Sequence, residues 1–159
     1  MNQMPMFFSA QEMSADFMKR LREGFKGDCP CCGRHAQVYK RQLYGTSVRM
    51  LIVFYRLGAA EKFVHYSDAV KQFGLGHIGD FNKAKYWGLV KKKPNDDESK
   101  SSSGSWMITE AGKDFILGKS SIHETAYVFD DQVIAFSEQL VGVKEALGHK
   151  FDYQQLMEG

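Results

Sequence analysis

The stretch Ile78–Leu117, which reads IGDFNKAKYWGLVKKKPNDDESKSSSGSWMITEAGKDFIL, decides the fold of this 159-residue chain. Its apolar side chains are spaced for a helix over Ile78–Trp87. Two short apolar strands, Leu89–Val90 and Ser105–Ile108, then flank the run Asn95–Gly104, which has no apolar member and cannot pack. The second strand leads into another helix. The predicted order is therefore helix, strand, exposed loop, strand and helix.

Two further helices are predicted before this stretch. Ala69–Phe73 reads as a short helix capped by Ser67 or Asp68, and a glycine-containing turn separates it from Ile78–Trp87. Two short helices joined in this way form a helix-turn-helix pattern. The preceding segment, Thr46–Leu57, is apolar on most of its surface, which predicts a helix at the centre of the core.

The hairpin and its flanks carry a family resemblance. The runs Trp87–Val90 and Ile108–Lys113 (ITEAGK) resemble the wing and following helix of MarR-like and PadR-like winged-helix regulators, where a leu-thr-x-x-gly pattern opens that helix. The resemblance covers roughly Gln42–Gly118, about half the chain. It implies that Ile78–Trp87 is a recognition helix for the major groove and that the hairpin is the wing. One departure is the acidic wing tip, Asp96–Glu98.

The distribution of charge favours a nucleic-acid partner. Arg34–Lys93 holds 12 Lys and Arg against 3 Asp and Glu, whereas Ile122–Gly159 holds 2 against 7. A basic middle and an acidic tail predict one surface for a polyanion and another for a different partner, although lysines also solvate ordinary helix surfaces. For double-stranded DNA, we expect base contacts from Asn82, Lys83 and Tyr86. Phosphates would be held by Lys85, Lys91, Lys92 and Lys93, with Arg41 and Arg49 in support.

The three cysteines form a second candidate site. Cys29 and Cys32 make a C-x-x-C pair, with Pro30 inside it and Gly33 after it, and this looks like one knuckle of a zinc ribbon. His35 is a third candidate ligand for zinc. The fourth ligand stays open among Cys31, His65, His77, His123, His149 and a group from a second subunit. Because the chain has no second knuckle, one alternative is a degenerate knuckle that keeps the turn without the ion. Another is a redox role for the adjacent cysteines.

The regions on either side complete an α+β fold with a winged helix-turn-helix core. The remaining predicted elements are a helix over Ser9–Phe25, a strand over Ala36–Leu43, a hairpin of Thr125–Phe129 with Gln132–Phe136, a helix over Glu138–Leu147 and a short helical turn that Asp152 caps. We expect three parts: an N-terminal helix and knuckle (1–40), a winged-helix domain (41–118) and an acidic hairpin-helix extension (119–159).

Motifs for enzymatic chemistry are missing from the sequence. Gly74-x-Gly76-x-x-Gly79 has the form of a dinucleotide-binding loop, but it follows a short polar helix instead of a buried strand. No metalloprotease or serine-hydrolase motif is found, so we expect no catalytic residues and no enzyme. No apolar run is long enough to cross a bilayer, and the N-terminus does not read as a signal peptide. These features favour a cytoplasmic protein.

The expected function is DNA binding and transcriptional regulation, by analogy in a phage or mobile element. The alternative is a protein-interaction module: an inhibitor or adaptor that uses the same fold to bind a host or DNA-processing protein. The acidic tip and the acidic C-terminal region favour that alternative. A homodimer fits either function.

Overall fold

Short helices and strands alternate along the chain. In a computed structural model, residues 15–17, 19–21, 23–24, 26–30, 32–74, 81–96, 99 and 103–158 are described. The helices are α1 (Gly45–Arg56), α2 (Tyr66–Phe73), a 3-10 helix (Phe81–Trp87), α3 (Glu110–Ile116), α4 (Val143–Leu147) and α5 (Tyr153–Glu158), and residues 15–17 and 19–21 are also helical. The strands are β1 (Lys26–Asp28), β2 (His35–Gln37), β3 (Tyr39–Arg41), β4 (Val64–His65), β5 (Val90–Lys92), β6 (Ser105–Ile108), β7 (Ile122–His123), β8 (Ala126–Phe129), β9 (Gln132–Phe136) and β10 (Leu140–Val141). The expected α+β class is confirmed.

The chain divides into two compact units. The first takes in the described residues up to Arg41 together with Ala126–Phe136, and the second takes in Gln42–Thr125 with the described residues from Ser137 onward. The sequence placed residues 119–159 in one extension. In the structure, Ala126–Phe136 belongs to the first unit, and residues 119–125 and 137–158 belong to the second.

Helix α1 lies at the centre of the second unit, as its apolar surface predicts. Seven of its residues are buried, including Phe54. The Phe54 ring stacks on Phe81, with 4.3 Å between ring centroids and 16° between planes. Phe81 in turn meets Trp106 edge-on at 5.5 Å. This aromatic series ties α1 to the 3-10 helix and to β6, and such pairs stabilise a core beyond their buried area.

A three-stranded antiparallel sheet packs beside α1. Its strand order is β4-β6-β5, so β6 lies between the other two. Val64 pairs with Trp106, and Val90 pairs with Ile108. These four side chains are buried, whereas Lys91 at the edge is exposed. One face of the sheet therefore closes the core, as alternation along half-buried strands requires.

The described part of the expected recognition helix is more tightly wound than the sequence predicts. The described part, Phe81–Trp87, is a 3-10 helix, and residues 78–80 lie outside the described residues. A 3-10 helix has about three residues per turn. Its buried pair, Phe81 and Ala84, has this spacing. Their burial also agrees with the apolar side that the sequence indicated.

The cap of α2 also differs from the prediction. The sequence pointed to Ser67 or Asp68, but α2 starts at Tyr66 and its N-cap is His65. The ring Nδ1 of His65 accepts a hydrogen bond from the Ser67 backbone N–H at 3.1 Å. Serine, threonine, aspartate and asparagine dominate the N-cap position, so the sequence does not predict histidine there.

Two helices were predicted after the β5–β6 hairpin, and the structure confirms the first and corrects the second. Helix α3 follows the hairpin, and the Thr109 hydroxyl caps it by accepting from the Gly112 N–H at 3.1 Å. The helix predicted over Glu138–Leu147 is wrong in its first half. Leu140–Val141 instead forms β10, which pairs with β7, and the helix begins only after Gly142.

Two small sheets are found among the described residues of the first unit. Strands β1 and β2 form an antiparallel hairpin, and β3, β8 and β9 form a three-stranded sheet. The strand predicted over Ala36–Leu43 is wrong as a continuous element, because Val38 separates β2 from β3 and the two join different sheets. The β8–β9 hairpin is confirmed, and its turn residues Asp130 and Asp131 have φ of 50° and 61°. Both values suit a tight two-residue turn.

Tyr153 gives the second unit a pH-dependent contact. Its hydroxyl donates to the Ile116 carbonyl at 2.7 Å. Burial, and then the neighbouring Tyr55, raise the pKa of Tyr153 above the ordinary value of 10.0. The folded state holds the Tyr153 proton more tightly than the unfolded chain does. The contribution of Tyr153 to stability is therefore complete below about pH 10 and is lost as pH rises through the raised pKa.

We therefore expect Tyr153→Phe to lower the free energy of unfolding by about 1 kcal/mol at neutral pH, since one hydrogen bond is lost. The loss of stability above about pH 10 should be shallower in the variant than in the parent. Urea denaturation from neutral to alkaline pH measures both effects. An identical alkaline slope in the two proteins would contradict this assignment.

The described helices are also too short or too polar to cross a bilayer, so no membrane-spanning helix is found among them.

Candidate nucleic-acid interface and cysteine knuckle

The 3-10 helix presents a polar side away from its buried pair. Asn82 is exposed, while Lys83, Lys85 and Tyr86 are half-buried. The Lys85 ammonium lies 5.3 Å from the centroid of the Tyr86 ring. Because residues three apart share a side of a 3-10 helix, Asn82 and Lys85 form one row and Lys83 and Tyr86 form another. The expected base-reading residues are thus divided between two neighbouring rows.

Strand β5 begins after Gly88 and Leu89; it carries Lys91 and Lys92, and Lys93 follows it directly. Gly88 makes the turn with φ of 69° and donates to the Lys85 carbonyl at 3.0 Å. Lys91, Lys92 and Lys93 are all exposed. The structure therefore brings the lysine run next to the 3-10 helix, within one unit.

Aromatic rings hold two of these lysines. The Lys92 ammonium is 5.8 Å from the Trp106 ring centroid, and the Lys91 ammonium is 6.0 Å from that of Phe63. Successive side chains of a strand point to opposite faces, so these two charges lie on different sides of β5. Such contacts restrain the long side chains while leaving their charge at the surface.

The hairpin is closed at its base. Lys93 N–H donates to the Ser105 carbonyl at 2.9 Å, and the Ser103 hydroxyl donates to the Lys93 carbonyl at 2.7 Å. Asp96 is exposed beyond this closure, and Asp97 and Glu98 lie outside the described residues. Positive charge is therefore fixed at the base of the hairpin.

The two supporting arginines have contacts elsewhere. Arg41 belongs to the first unit, and its guanidinium lies 5.0 Å from the Tyr39 ring centroid. Arg49 is on α1, with its guanidinium 5.3 Å from the Phe151 ring. Neither contact joins these arginines to the helix and strand that hold the other candidates.

A tight junction between the hairpin and α2 is not predictable from the sequence pattern. The Gly104 carbonyl accepts from the Tyr66 N–H at 3.0 Å. Gly104 has φ of 70°, and a Cβ there would lie 2.7 Å from His65 Nε2. The only sequence feature that indicates this junction is the glycine, Gly104, directly before a predicted strand. Its contact with His65 joins residues that are distant in sequence.

The cysteine pair sits at the end of the β1–β2 hairpin. Cys29 N–H donates to the Arg34 carbonyl at 2.7 Å, and Gly33 N–H donates to the Cys29 carbonyl at 2.8 Å. Gly33 has φ of 73°, as the knuckle pattern requires. Cys29 is half-buried and Cys32 exposed, while Cys31 lies outside the described residues. The backbone therefore forms the tight turn that the motif predicts.

His35 lies beside the pair, with Nδ1 3.4 Å from the Asp28 carboxylate. A cavity of about 420 Å³ in this unit is lined by both cysteines, His35 and Asp130, together with Phe17 and Phe129 among its apolar walls. Within the described parts of the chain, no three His, Cys, Asp or Glu side chains are grouped closely enough to hold a metal ion as they stand. Zinc thus stays a prediction with suitable donor chemistry.

Of the fourth ligands that the sequence left open, His65, His123 and His149 belong to the second unit. His123 bonds there through Nδ1 to the Ser137 carbonyl at 2.6 Å. His77 is outside the described residues.

Comparisons with protein-family models, with curated proteins and with solved structures find no match to this chain.

Proposed function

We propose that the second unit is a winged-helix domain that binds double-stranded DNA, and that the protein regulates transcription. The observation that carries this proposal is the order of elements and strands. Helix α1, β4, α2, the 3-10 helix, β5 and β6 follow one another, and the sheet order is β4-β6-β5. This is the arrangement expected when a helix-turn-helix, here α2 and the 3-10 helix, is followed by a hairpin. The second strand of that hairpin, β6, pairs with β4, the strand that precedes the helix-turn-helix.

The charged side chains support DNA as the ligand. The 3-10 helix occupies the position of a recognition helix, and Asn82, Lys83 and Tyr86 are types that contact base edges or phosphates. Lys91 and Lys92 lie on the next strand and Lys93 directly after it, at the closed base of the hairpin. With an acidic tip beyond it, the base of the wing is the part suited to phosphates.

Salt dependence tests this function directly. If Lys85, Lys91, Lys92 and Lys93 each neutralise one phosphate, a plot of log affinity against log salt should have a slope of about −4, at ~0.9 per contact. Fluorescence anisotropy with random genomic duplexes between low and moderate salt measures the slope. Absence of binding at low salt, or binding that is insensitive to salt, would rule the proposal out.

A protein-interaction module is the second candidate function. Among the described residues of the second unit, three large apolar side chains are exposed: Tyr44 at 58%, Leu140 at 55% and Tyr66 at 41%. Together with the acidic region from Ile122 onward, they would suit a basic or apolar protein surface, including a second copy of this chain. A stoichiometric protein partner in a pull-down, without any shift of duplex DNA, would decide for this function.

A further inference from the structure

We propose that the cavity at the end of the β1–β2 hairpin is a zinc site whose ligands are Cys29, Cys32, His35 and Asp130. The site goes beyond DNA binding and does not depend on it. Two thiolates, one imidazole and one carboxylate make a four-ligand set of the kind that Zn²⁺ accepts in tetrahedral coordination.

The hairpin pre-forms half of the site. Strands β1 and β2 pair from Lys26 with Gln37 to Asp28 with His35, so the knuckle begins directly after a closed ladder. The hydrogen bonds between Cys29 and the Gly33–Arg34 segment then fold the loop back. Both thiols line the same cavity. Holding them in one turn removes much of the entropy cost of gathering two ligands.

The contact between Asp28 and His35 prepares the third ligand. With Nδ1 turned toward the carboxylate at 3.4 Å, Nε2 is the ring nitrogen that is left to bind an ion. A carboxylate that orients a metal-binding imidazole in this manner is a recurrent second-shell arrangement. Asp28 is therefore a positioning residue and not a ligand.

Asp130 supplies the group that the sequence could not identify. It is the first residue of the β8–β9 turn, where its φ of 50° gives the turn a conformation that aspartate tolerates. Asp130 lines the cavity with both cysteines and with His35, and all four belong to the first unit. The turn of a second hairpin thus takes the place of the absent second knuckle.

Ion binding must draw these side chains inward, because they are not grouped for coordination as they stand. Cys32, His35 and Asp130 are all exposed, so rotation of their side chains costs little packing. Metal binding should consequently stabilise the first unit, since the ion binds the folded chain in preference to the unfolded one.

Cobalt substitution tests the site with a spectroscopic readout. Titration of the purified 159-residue chain with Co²⁺, and then with Zn²⁺ as competitor, should give one ion per chain. The spectrum should show thiolate-to-cobalt charge transfer and the intense visible bands of tetrahedral Co²⁺. Thermal unfolding should shift upward with Zn²⁺ and return after chelation.

Matched variants separate the ligands from their neighbours. Asp130→Asn should weaken Zn²⁺ binding by more than the ~10–100-fold typical of second-shell changes, and Asp28→Asn should fall within that range. Asp131→Asn is the control, because it makes the same change in the same turn, at φ of 61°. Cys32→Ser should remove the charge-transfer band, whereas Cys31→Ser should leave it unchanged.

Several results would overturn the assignment. They are no Co²⁺ spectrum, one ion per two chains, equal effects of the Asp130 and Asp131 substitutions, and loss of binding in Cys31→Ser. Circular dichroism of each variant without metal excludes misfolding as the cause of a loss.

Discussion

Gly112→Ala should destabilise the second unit by about 3 kcal/mol or more, the upper end of the effect of overpacking a core. A Cβ at this position would overlap the Leu89 carbonyl oxygen and would lie 2.8 Å from Ile108 Cγ2. Alanine gains ~1 kcal/mol over glycine in a helix interior, so the overlap must outweigh a favourable change in propensity. The carbonyl cannot move aside easily, because it accepts from Thr109 N–H at 3.0 Å.

Urea denaturation of the purified variant measures this loss, and Gly142→Ala is its control. The Cβ in that control would meet only Ser121 Oγ, at 4.0 Å. Its cost should stay below ~1 kcal/mol, the difference expected when alanine replaces glycine at a helix N-cap. Equal effects at the two positions would show that close packing of α3 against Leu89 is not what requires glycine at 112.

The start of α3, which packs against Leu89, also shows which features can be predicted from the sequence alone. The threonine and glycine of the Thr109–Gly112 motif were read as a helix start, and the cap is confirmed. Both features depend on residues within one turn, which is why they were predictable. The second hydrogen bond of Thr109 was not predictable, because its partner is distant in sequence. Its hydroxyl donates to the Gly88 carbonyl at 2.5 Å, across the whole hairpin.

Pairing between distant segments explains the two elements that were mispredicted over Ala36–Leu43 and Glu138–Leu147. Glu138–Leu147 has an acceptable helical pattern, yet Leu140 and Val141 pair with β7. Local propensity cannot reveal a partner strand in another part of the chain, and tertiary contacts routinely override it. The pairing of β3 with β8 has the same origin, and it moves the β8–β9 hairpin into the first unit.

The candidate sites show the same difference between residues that are neighbours in sequence and residues that only the fold brings together. Cys29, Cys32 and His35 are neighbours in sequence, so their shared turn could be anticipated. Asp130 is brought to their cavity only by the fold of the first unit, and no spacing rule points to it. The lysine run and the 3-10 helix could be expected to be neighbours because only Gly88 and Leu89 separate the helix from β5.

The largest expected effect on DNA binding comes from replacing Lys91, Lys92 and Lys93 together by glutamine. If each ammonium neutralises one phosphate, the magnitude of the salt slope should decrease by about 3. The affinity for DNA near 0.1 M salt should fall about 100-fold or more. Fluorescence anisotropy over a salt series yields both quantities. Glutamine keeps part of each side-chain stem, which limits the loss of packing against Trp106 and Phe63.

A second triple variant distinguishes a local interface from net charge. Lys119, Lys144 and Lys150 are exposed in the same unit, and their replacement by glutamine removes the same three charges. Contacts to phosphate act at short range, whereas separated surface charges are largely screened beyond ~10 Å at 0.1 M salt. The control should therefore keep a slope close to that of the parent protein. If both triple variants lose affinity equally, binding reflects overall charge, and the base of the wing has no particular role. If only the first loses affinity while its thermal unfolding matches that of the control, the lysines beside the 3-10 helix are the phosphate-binding groups.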